Sequence, residues 1–471
     1  MYFGLGAQVD LTRVAVDQNH EVGVFIANEN TLVTLADVVV SDTQPAAGTG
    51  TARGIEVQDR AHLLITRGAL ERNQDAALAT YHVGTVVTLA DLLVRDSLHR
   101  AFDVSMGARL DLSRAALDGN HDDGAAIDGA GTIMTFTDVI IRDTLSSSID
   151  GLGGSGRAVN AQFGAHVDLT RVALLRNQDL GVFAGGAGTA VTIIDLLVQD
   201  TRRREVDLQN GGAIGAREGA GVSVTRGRFE RNRSFGLSAD DPGTLVTLSD
   251  VVIADTESRE SDRRAGMGIS VLSGARVDVA RARLERNRGF GVFAEAAGTI
   301  VTLADVVIAD TRSEESGLHF GRGLEVQYGA TADVVRASFE RNRDVGVIAA
   351  GPGTFVVLTD IVISGTQDQE CEAMAGCTWR VAAAVGSYDG ALLDVRRFVF
   401  TDNAFLGLQL GGGEADMHDG EVSNNDIGAN VQTPDFDVAR IQDGVVWRDN
   451  GITLDASGLP VPMPGAPLMG P

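Results

Sequence analysis

The stretch Gly274–Thr311, GARVDVARARLERNRGFGVFAEAAGTIVTLADVVIADT, decides the fold. It holds one short pattern twice, once from Val277 to Asn287 and again from Val301 to Thr311. In both copies apolar residues alternate with polar ones, which is the period of a strand with one face inward. β-branched residues dominate, and Gly recurs too often for a helix. The same unit starts near Gly6, Arg60, Gly107, Gly164, Gly219, Gly274, Gly329 and Gly390, at steps of 54, 47, 57, 55, 55, 55 and 61 residues. Self-similarity at so long a period is the mark of a solenoid.

Each repeat is two coils. VDLTRVAVDQN from Val9 aligns without gaps on VTLADVVVSDT from Val33, 24 residues later. The expected fold is therefore all-β, a right-handed parallel β-helix of about 16 coils built from eight two-coil repeats. The body is expected to run over residues 1–455 as a single solenoid, with a Pro-rich tail over 456–471. Five of the nine Pro lie from Pro460 to Pro471, where a sheet ladder would not tolerate them. That tail is expected to cover the edge of the last coil against self-association. Val9, Leu11, Val14 and Val16, with their equivalents, form the predicted core.

Three rows recur with the repeat, and recurrence argues for structure over catalysis. Asn occupies one turn at Asn19, Asn73, Asn120, Asn177, Asn232, Asn287, Asn342 and Asn403. The aligned second-coil residue is Thr or Ser, as at Thr43, Ser97 and Thr311, so amide should stack on hydroxyl there and satisfy backbone groups at the bend. Arg occupies another position at Arg13, Arg67, Arg114, Arg171, Arg226, Arg281, Arg336 and Arg397. Its second-coil counterpart is Asp at Asp37, Asp91, Asp138, Asp195, Asp250, Asp305 and Asp360. Stacked in register, these alternate in sign along the outer face and penalise a slip by one coil. The Thr row Thr31, Thr85, Thr132, Thr189, Thr244, Thr299 and Thr354 mostly follows Gly and reads as turn chemistry.

Among 471 residues, 39 are basic and all of these are Arg, against 64 acids, for a net charge of -25. Such a surface argues against nucleic acid and anionic membranes as partners. No apolar run is long enough to span a bilayer, and MYFGLGAQVD lacks the layout of a signal peptide. Because YFGLGAQ reads like the middle of a later unit, the N-terminus is expected to be trimmed. Neither metal nor other cofactor is expected.

The paired apolar positions, the Asn at the turn and a following Gly-apolar strand such as DVGVIAA resemble the right-handed parallel β-helix repeat of the pectin-lyase-like superfamily. The resemblance covers about residues 4–455. The doubled unit and the stretch EVSNNDIGANVQ look similar to repetitive, uncharacterised proteins of high-GC, myxobacteria-like bacteria. What this implies is a fold and an extracellular or cell-envelope setting. Superfamily enzymes include polysaccharide lyases and polygalacturonase-like hydrolases, and neither motif set is reproduced here. No catalytic residue is assigned. Asp122-Asp123 and Asp240-Asp241 are adjacent acids, expected to face opposite sides of a strand, whereas a glycosidase needs two carboxyls opposed across one bond.

Function is expected where regularity breaks. After the Asp-Thr turn the second coil swells into loops, which alternate coils place on one side, and loops on a rigid scaffold carry binding. Arg202, Arg203, Arg204, Arg259, Arg263 and Arg264 are the candidate binding residues among them, for a glycan or protein. Phe25, Phe183 and Phe293 share an outward position and are expected to pack against neighbouring coils. Cys371 and Cys377 in the longest insert suit a local disulfide and an oxidising compartment. The expected function is a non-catalytic extracellular or cell-envelope scaffold, and the alternative is a polysaccharide-active lyase or hydrolase.

Overall fold

In the computed structural model, the described residues are 1–46, 50–146, 154–205, 207–370 and 381–465. The disulfide candidates Cys371 and Cys377 lie outside them. The chain divides into two compact units, Met1–Gly227 and Arg228–Pro471. Each is a right-handed parallel β-helix in which strands of ten residues alternate with strands of five or six. In the first unit Val86–Arg95, Arg109–Asp118 and Ile133–Arg142 stack as one column, while Ala76–Tyr81, Arg100–Ser105 and Asp123–Asp128 stack as another. In the second, Arg276–Glu285 pairs in parallel with Ile300–Ala309, and that strand with Thr331–Glu340. The only helical element among the described residues is one 3-10 turn, Val438–Ile441.

Register brings like positions together. Val277 lies beside Val301, and Leu284 beside Ile308. These side chains are fully buried, so each coil adds one layer to an apolar interior. The long strand is not straight. Its parity changes at the sixth residue, which is why core positions run Val33, Leu35, then Val38 and Val40. That residue has a left-handed backbone, with φ of 59° at Arg67, 57° at Asp91 and 57° at Asp305. The left-handed conformation costs a residue with a side chain roughly 1–2 kcal/mol, and in return the chain turns a corner with the charged side chain outside. The Arg and Asp rows are therefore corner residues, not members of a flat strand.

A second left-handed corner follows directly before the Asn row, as at Arg72 and Arg286, and before its Ser or Thr counterpart, as at Asp96 and Asp310. Here the Asn side chain bridges to the coil before it. Asn342 Oδ1 accepts from the Thr311 backbone N–H at 3.1 Å and from its hydroxyl at 2.7 Å, while Nδ2 donates to the Ile308 carbonyl at 2.9 Å. Asn120, Asn177 and Asn287 repeat the two backbone bonds. The amide's partner is the backbone. The hydroxyls of Thr43, Ser97, Thr256 and Thr366 have no hydrogen-bond partner, so amide-on-hydroxyl pairing holds at Thr311 but is not the common rule. Toward the C-terminus the column becomes Asn on Asn, Asn403 to Asn425 to Asn450, and so runs past Asp416, where the sequence spacing decays.

The Thr row closes the third turn. Thr299 Oγ1 accepts from Gly274 N–H of the preceding coil at 2.9 Å and donates to the Glu295 carbonyl of its own coil. Thr132, Thr189 and Thr354 do the same. All are buried.

Of the tail, residues 456–465 are among the described ones. From Leu459 to Gly465 it lies on the outer face of the short-strand sheet, where its carbonyls meet side chains of earlier coils. Pro460, Pro462 and Pro464 have no N–H to give to a ladder on the side they face.

The bridging geometry makes replacement of a central amide costly. Asn342→Leu should lower unfolding free energy by about 1–3 kcal/mol by stranding buried backbone groups. Chemical denaturation of the full chain checks this, and an unchanged midpoint refutes it.

Candidate binding face

The ten-residue strands carry their charge at corners, and there it is paired. Arg171 donates to both Asp138 oxygens at 2.6 and 2.9 Å, and Arg336 to both Asp305 oxygens at 2.6 and 2.8 Å. Arg67–Asp37, Arg114–Asp91, Arg226–Asp195, Arg281–Asp250 and Arg397–Asp360 are likewise two-pronged. Hydrogen bonds from the partner Arg hold the carboxyls of Asp37, Asp91, Asp138, Asp195, Asp305 and Asp360 below their ordinary range. A second row, absent from the sequence-based expectations, sits at the next corner. It comprises Arg72–Asp42, Arg176–Asp143, Arg286–Asp255 and Arg341–Asp310. Its signal was present, since Arg precedes Asn in five of the eight repeats. In these two-pronged pairs Nε and Nη2 of the Arg are committed to the carboxylate.

The short-strand sheet differs, because its outer face is where side chains break the repeat. Parallel register places Ala76, Arg100, Asp123 and Arg157 in one column, and Asp103, Ala126, Asn160 and Phe183 in a second. In the second unit the first of these columns holds Phe290 and Val345, which shows that the repeat does not demand charge there. Arg100 Nε lies 3.5 Å from Asp122 Oδ2 and 3.7 Å from Asp123 Oδ2, and its Nη1 lies 3.7 Å from Asp103 Oδ2. These are ion pairs at looser spacing than any corner pair. The buried Arg100 Nε has no hydrogen-bond partner.

His99 extends the cluster, with Nδ1 3.6 Å from Asp75 Oδ1 and Nε2 3.4 Å from Asp122 Oδ2. Tyr81 donates to Asp103 at 3.0 Å. Asp122 and Asp123 were expected on opposite sides of a strand, yet both reach Arg100. The reason is local, because Asp122 has φ of 59° and breaks the alternation just before the strand begins. Asp123 is sealed by Ser155 Oγ at 2.7 Å and Asn160 Nδ2 at 3.0 Å. Burial pushes its carboxyl up, and the Asp122 charge adds to the shift. Burial, then Asp103, likewise raises Asp128. The other adjacent pair is turn structure, with Asp241 N–H donating to Asp240 Oδ1 at 2.9 Å.

Loops border this face. Ser155 N–H donates to Asp122, while Asn210 and Arg204 approach Asp179, which also takes the Arg157 Nε proton at 2.8 Å. Of the six loop arginines singled out from sequence, Arg204 and Arg259 are tied down within their own loops, to Asp207 and Asp262, at 2.5 Å each. Arg203 is half-buried, and Arg202, Arg263 and Arg264 are exposed. Successive loops stack through one recurrent bond. Ser146 Oγ accepts from Glu205 N–H in the first unit, and Ser258 and Ser313 accept from Glu315 and Glu370 in the second.

Phe183 points outward from its coil but not into solvent. Arg157 covers its ring at 3.9 Å and Arg217 at 4.9 Å. Phe293 is buried against Phe290, and half-buried Phe25 stacks on Tyr2.

No family model matches the chain, and no curated protein matches it. Among solved structures it is similar to a chain in the cryo-EM structure of the Vag8–C1 inhibitor complex, at 12% identity and a TM-score of 0.36, covering 93% of this chain and 90% of that one. It is also similar to tailspike protein 3 of bacteriophage CBA120, at 11% identity and a TM-score of 0.23, covering 82% of this chain and 54% of the tailspike. Among the described residues no helix is long and apolar enough to cross a membrane, and no group of three or more His, Cys, Asp and Glu could hold a metal ion.

The loop stack of the second unit carries a titration. Glu314 is buried against the preceding loop, with Oε2 accepting from Ala265 N–H at 3.2 Å. Burial pushes its carboxyl up to about 7. A carboxyl raised in the folded state contributes stability at pH below its unfolded value and loses it as pH rises through about 7. Glu314→Gln keeps the acceptor and removes the charge. It should raise the melting temperature at pH 8 and leave it unchanged at pH 4. An equal shift at both values would show that the group does not titrate in this way.

Proposed function

We propose that the chain is a non-catalytic binding scaffold of the extracellular space or cell envelope, and that the Arg100 face of the first unit receives a neutral glycan. One observation carries the reading. Arg100 has three carboxylates within 3.5–3.7 Å and a buried Nε without a hydrogen-bond partner. At the corners of the long strands, by contrast, Arg and Asp meet in close two-pronged hydrogen bonds. Around Arg100 the spacing leaves donor and acceptor capacity that a hydroxyl can bridge, donating to a carboxylate while accepting from the guanidinium. Vicinal hydroxyls of a sugar present that pair of roles repeatedly. His99, Tyr81 and Asp103 supply further polar groups along the same face. A net charge of -25 disfavours an acidic polysaccharide.

The enzymatic alternative draws on Asp123, a carboxyl that burial pushes above its ordinary range. Geometry speaks against it. Asp123 is covered by Ser155 and Asn160, so a glycosidic oxygen could not reach it without displacing both. A protein ligand on the same face would need apolar anchors, and the groups that surround the Arg100 guanidinium are carboxylates.

Neutral oligosaccharides presented on an array to the full-length protein test this reading. Binding is expected, with the ligand recovered at its original length. Arg100→Ala should weaken it at least about tenfold, the worth of one charge-assisted hydrogen bond, with the melting temperature retained. Shortened or unsaturated products, or binding indifferent to Arg100→Ala, would overturn the proposal.

A further inference from the structure

In the second unit the outer face of the short-strand sheet is occupied by the chain's own C-terminal segment. Contacts between them follow one chemistry. Carbonyls of Leu459, Pro460, Met463 and Gly465 accept from Gln432 Nε2 at 3.1 Å, Gln409 Nε2 at 2.9 Å, Arg322 Nη2 at 2.7 Å and Gln327 Nε2 at 2.9 Å. The single reverse bond runs from Gly465 N–H to Glu325 Oε1 at 2.7 Å. Donors thus come from the groove and acceptors from the segment. Pro460, Pro462 and Pro464 alternate through it, and an alternating-Pro stretch is rich in carbonyls and poor in N–H groups.

The groove also measures side chains. Gly411 leaves the space that Val461 fills, since a Cβ there would lie 2.9 Å from Val461. At the far end a Cβ on Gly465 would meet Phe290 at 2.8 Å and Phe293 at 2.9 Å, so Gly is required. Leu459 packs on the cluster that includes Tyr388, Leu406 and Ile427. Beneath the segment Arg322 is fully buried, with Nε on Asp344 at 2.5 Å and Nη1 on Glu325 at 2.6 Å, and the Met463 carbonyl takes a proton of its remaining nitrogen. The site has a charged anchor, a row of amide donors, an apolar end and a Gly-only end.

We propose that this face is a binding groove for extended, proline-alternating peptides with Gly after the last alternating Pro, and that Leu459–Gly465 is its resident intrachain ligand. The groove reads backbone carbonyls, so it selects a peptide class rather than one sequence. It stands apart from the glycan reading, which rests on the first unit, and either can fail alone.

The test uses the full chain with a protease recognition sequence inserted at the exposed stretch Ala456–Gly458. After cleavage the segment should stay bound through gel filtration, and a labelled synthetic peptide of residues 457–465, SGLPVPMPG, should exchange with it saturably. A peptide carrying Gly465→Leu should bind at least about tenfold more weakly, as should the wild-type peptide on a Gln327→Ala/Gln409→Ala protein. Loss of the segment on cleavage with no saturable uptake of peptide, or equal binding of the Gly465→Leu peptide, would overturn the proposal. So would unfolding on cleavage, which would make the segment part of the core. In the uncut chain, hydrogen exchange gives a separate reading. Gly465 N–H should be protected, and the double variant should lose that protection while the strands keep theirs.

Discussion

Parallel hydrogen bonding between one coil and the next is the constraint from which every other feature of this chain follows. A parallel ladder holds equivalent residues side by side, so whatever chemistry a position carries is repeated as a column. An apolar column becomes core and needs no further device. A polar column inside must satisfy itself at every level, because each unpaired buried group would be multiplied along the stack. The Asn row solves this at the second corner by giving its amide two backbone partners on the preceding coil, and the Thr row solves it at the third turn with one acceptor and one donor per hydroxyl. The four unpartnered hydroxyls beside the Asn row show where the solution is incomplete.

Corners raise a second problem, which charge answers. Both bends of the long strand use left-handed backbone, and the residues there are Arg and Asp where Gly or Asn would cost least. Placing the strain on charged residues puts them outside, where coil spacing brings guanidinium to carboxylate in two-pronged contact. Individual exposed ion pairs stabilise little. Their value here is specificity, since a slip by one coil would set Arg on Arg and Asp on Asp along the whole column. Around Arg100 on the short-strand face the ion pairs are looser, at 3.5–3.7 Å.

The stacked fold, the two-coil repeat and the membership of the Asn, Arg and Asp rows were legible in the sequence because identity recurs at fixed offsets. Left-handed corners were not, since Arg is among the residues least expected at positive φ, and without them the Arg row reads as part of a straight strand. The same blindness misplaced Asp122. Alternation is a sound rule within a strand, but one left-handed residue at the strand's entry turns two neighbouring carboxyls toward one Arg. The second ion-pair row and the column of Arg100, Asp123 and Arg157 could have been found by aligning corner and strand-start positions across repeats. Repetition draws the eye to what is shared, whereas this column is informative because its residues change.

The tail shows the opposite limit. Its Pro content correctly set it apart from the ladder, yet Pro content alone cannot say which surface will receive a segment that has given up its donors. That depends on where the protein has donors to spare. Coils of the second unit provide them at Arg322 and Gln327 on the strand Arg322–Gln327, at Gln409 on Leu406–Gly411 and at Gln432 just past Ile427–Val431, and their separation in sequence hides that they lie on one face. A fully buried Arg with two acid partners is costly unless its remaining donors are met, and at Arg322 the Met463 carbonyl of the covering segment meets one. The covering segment and the polar face are complementary parts of one arrangement, visible only when the coils are stacked.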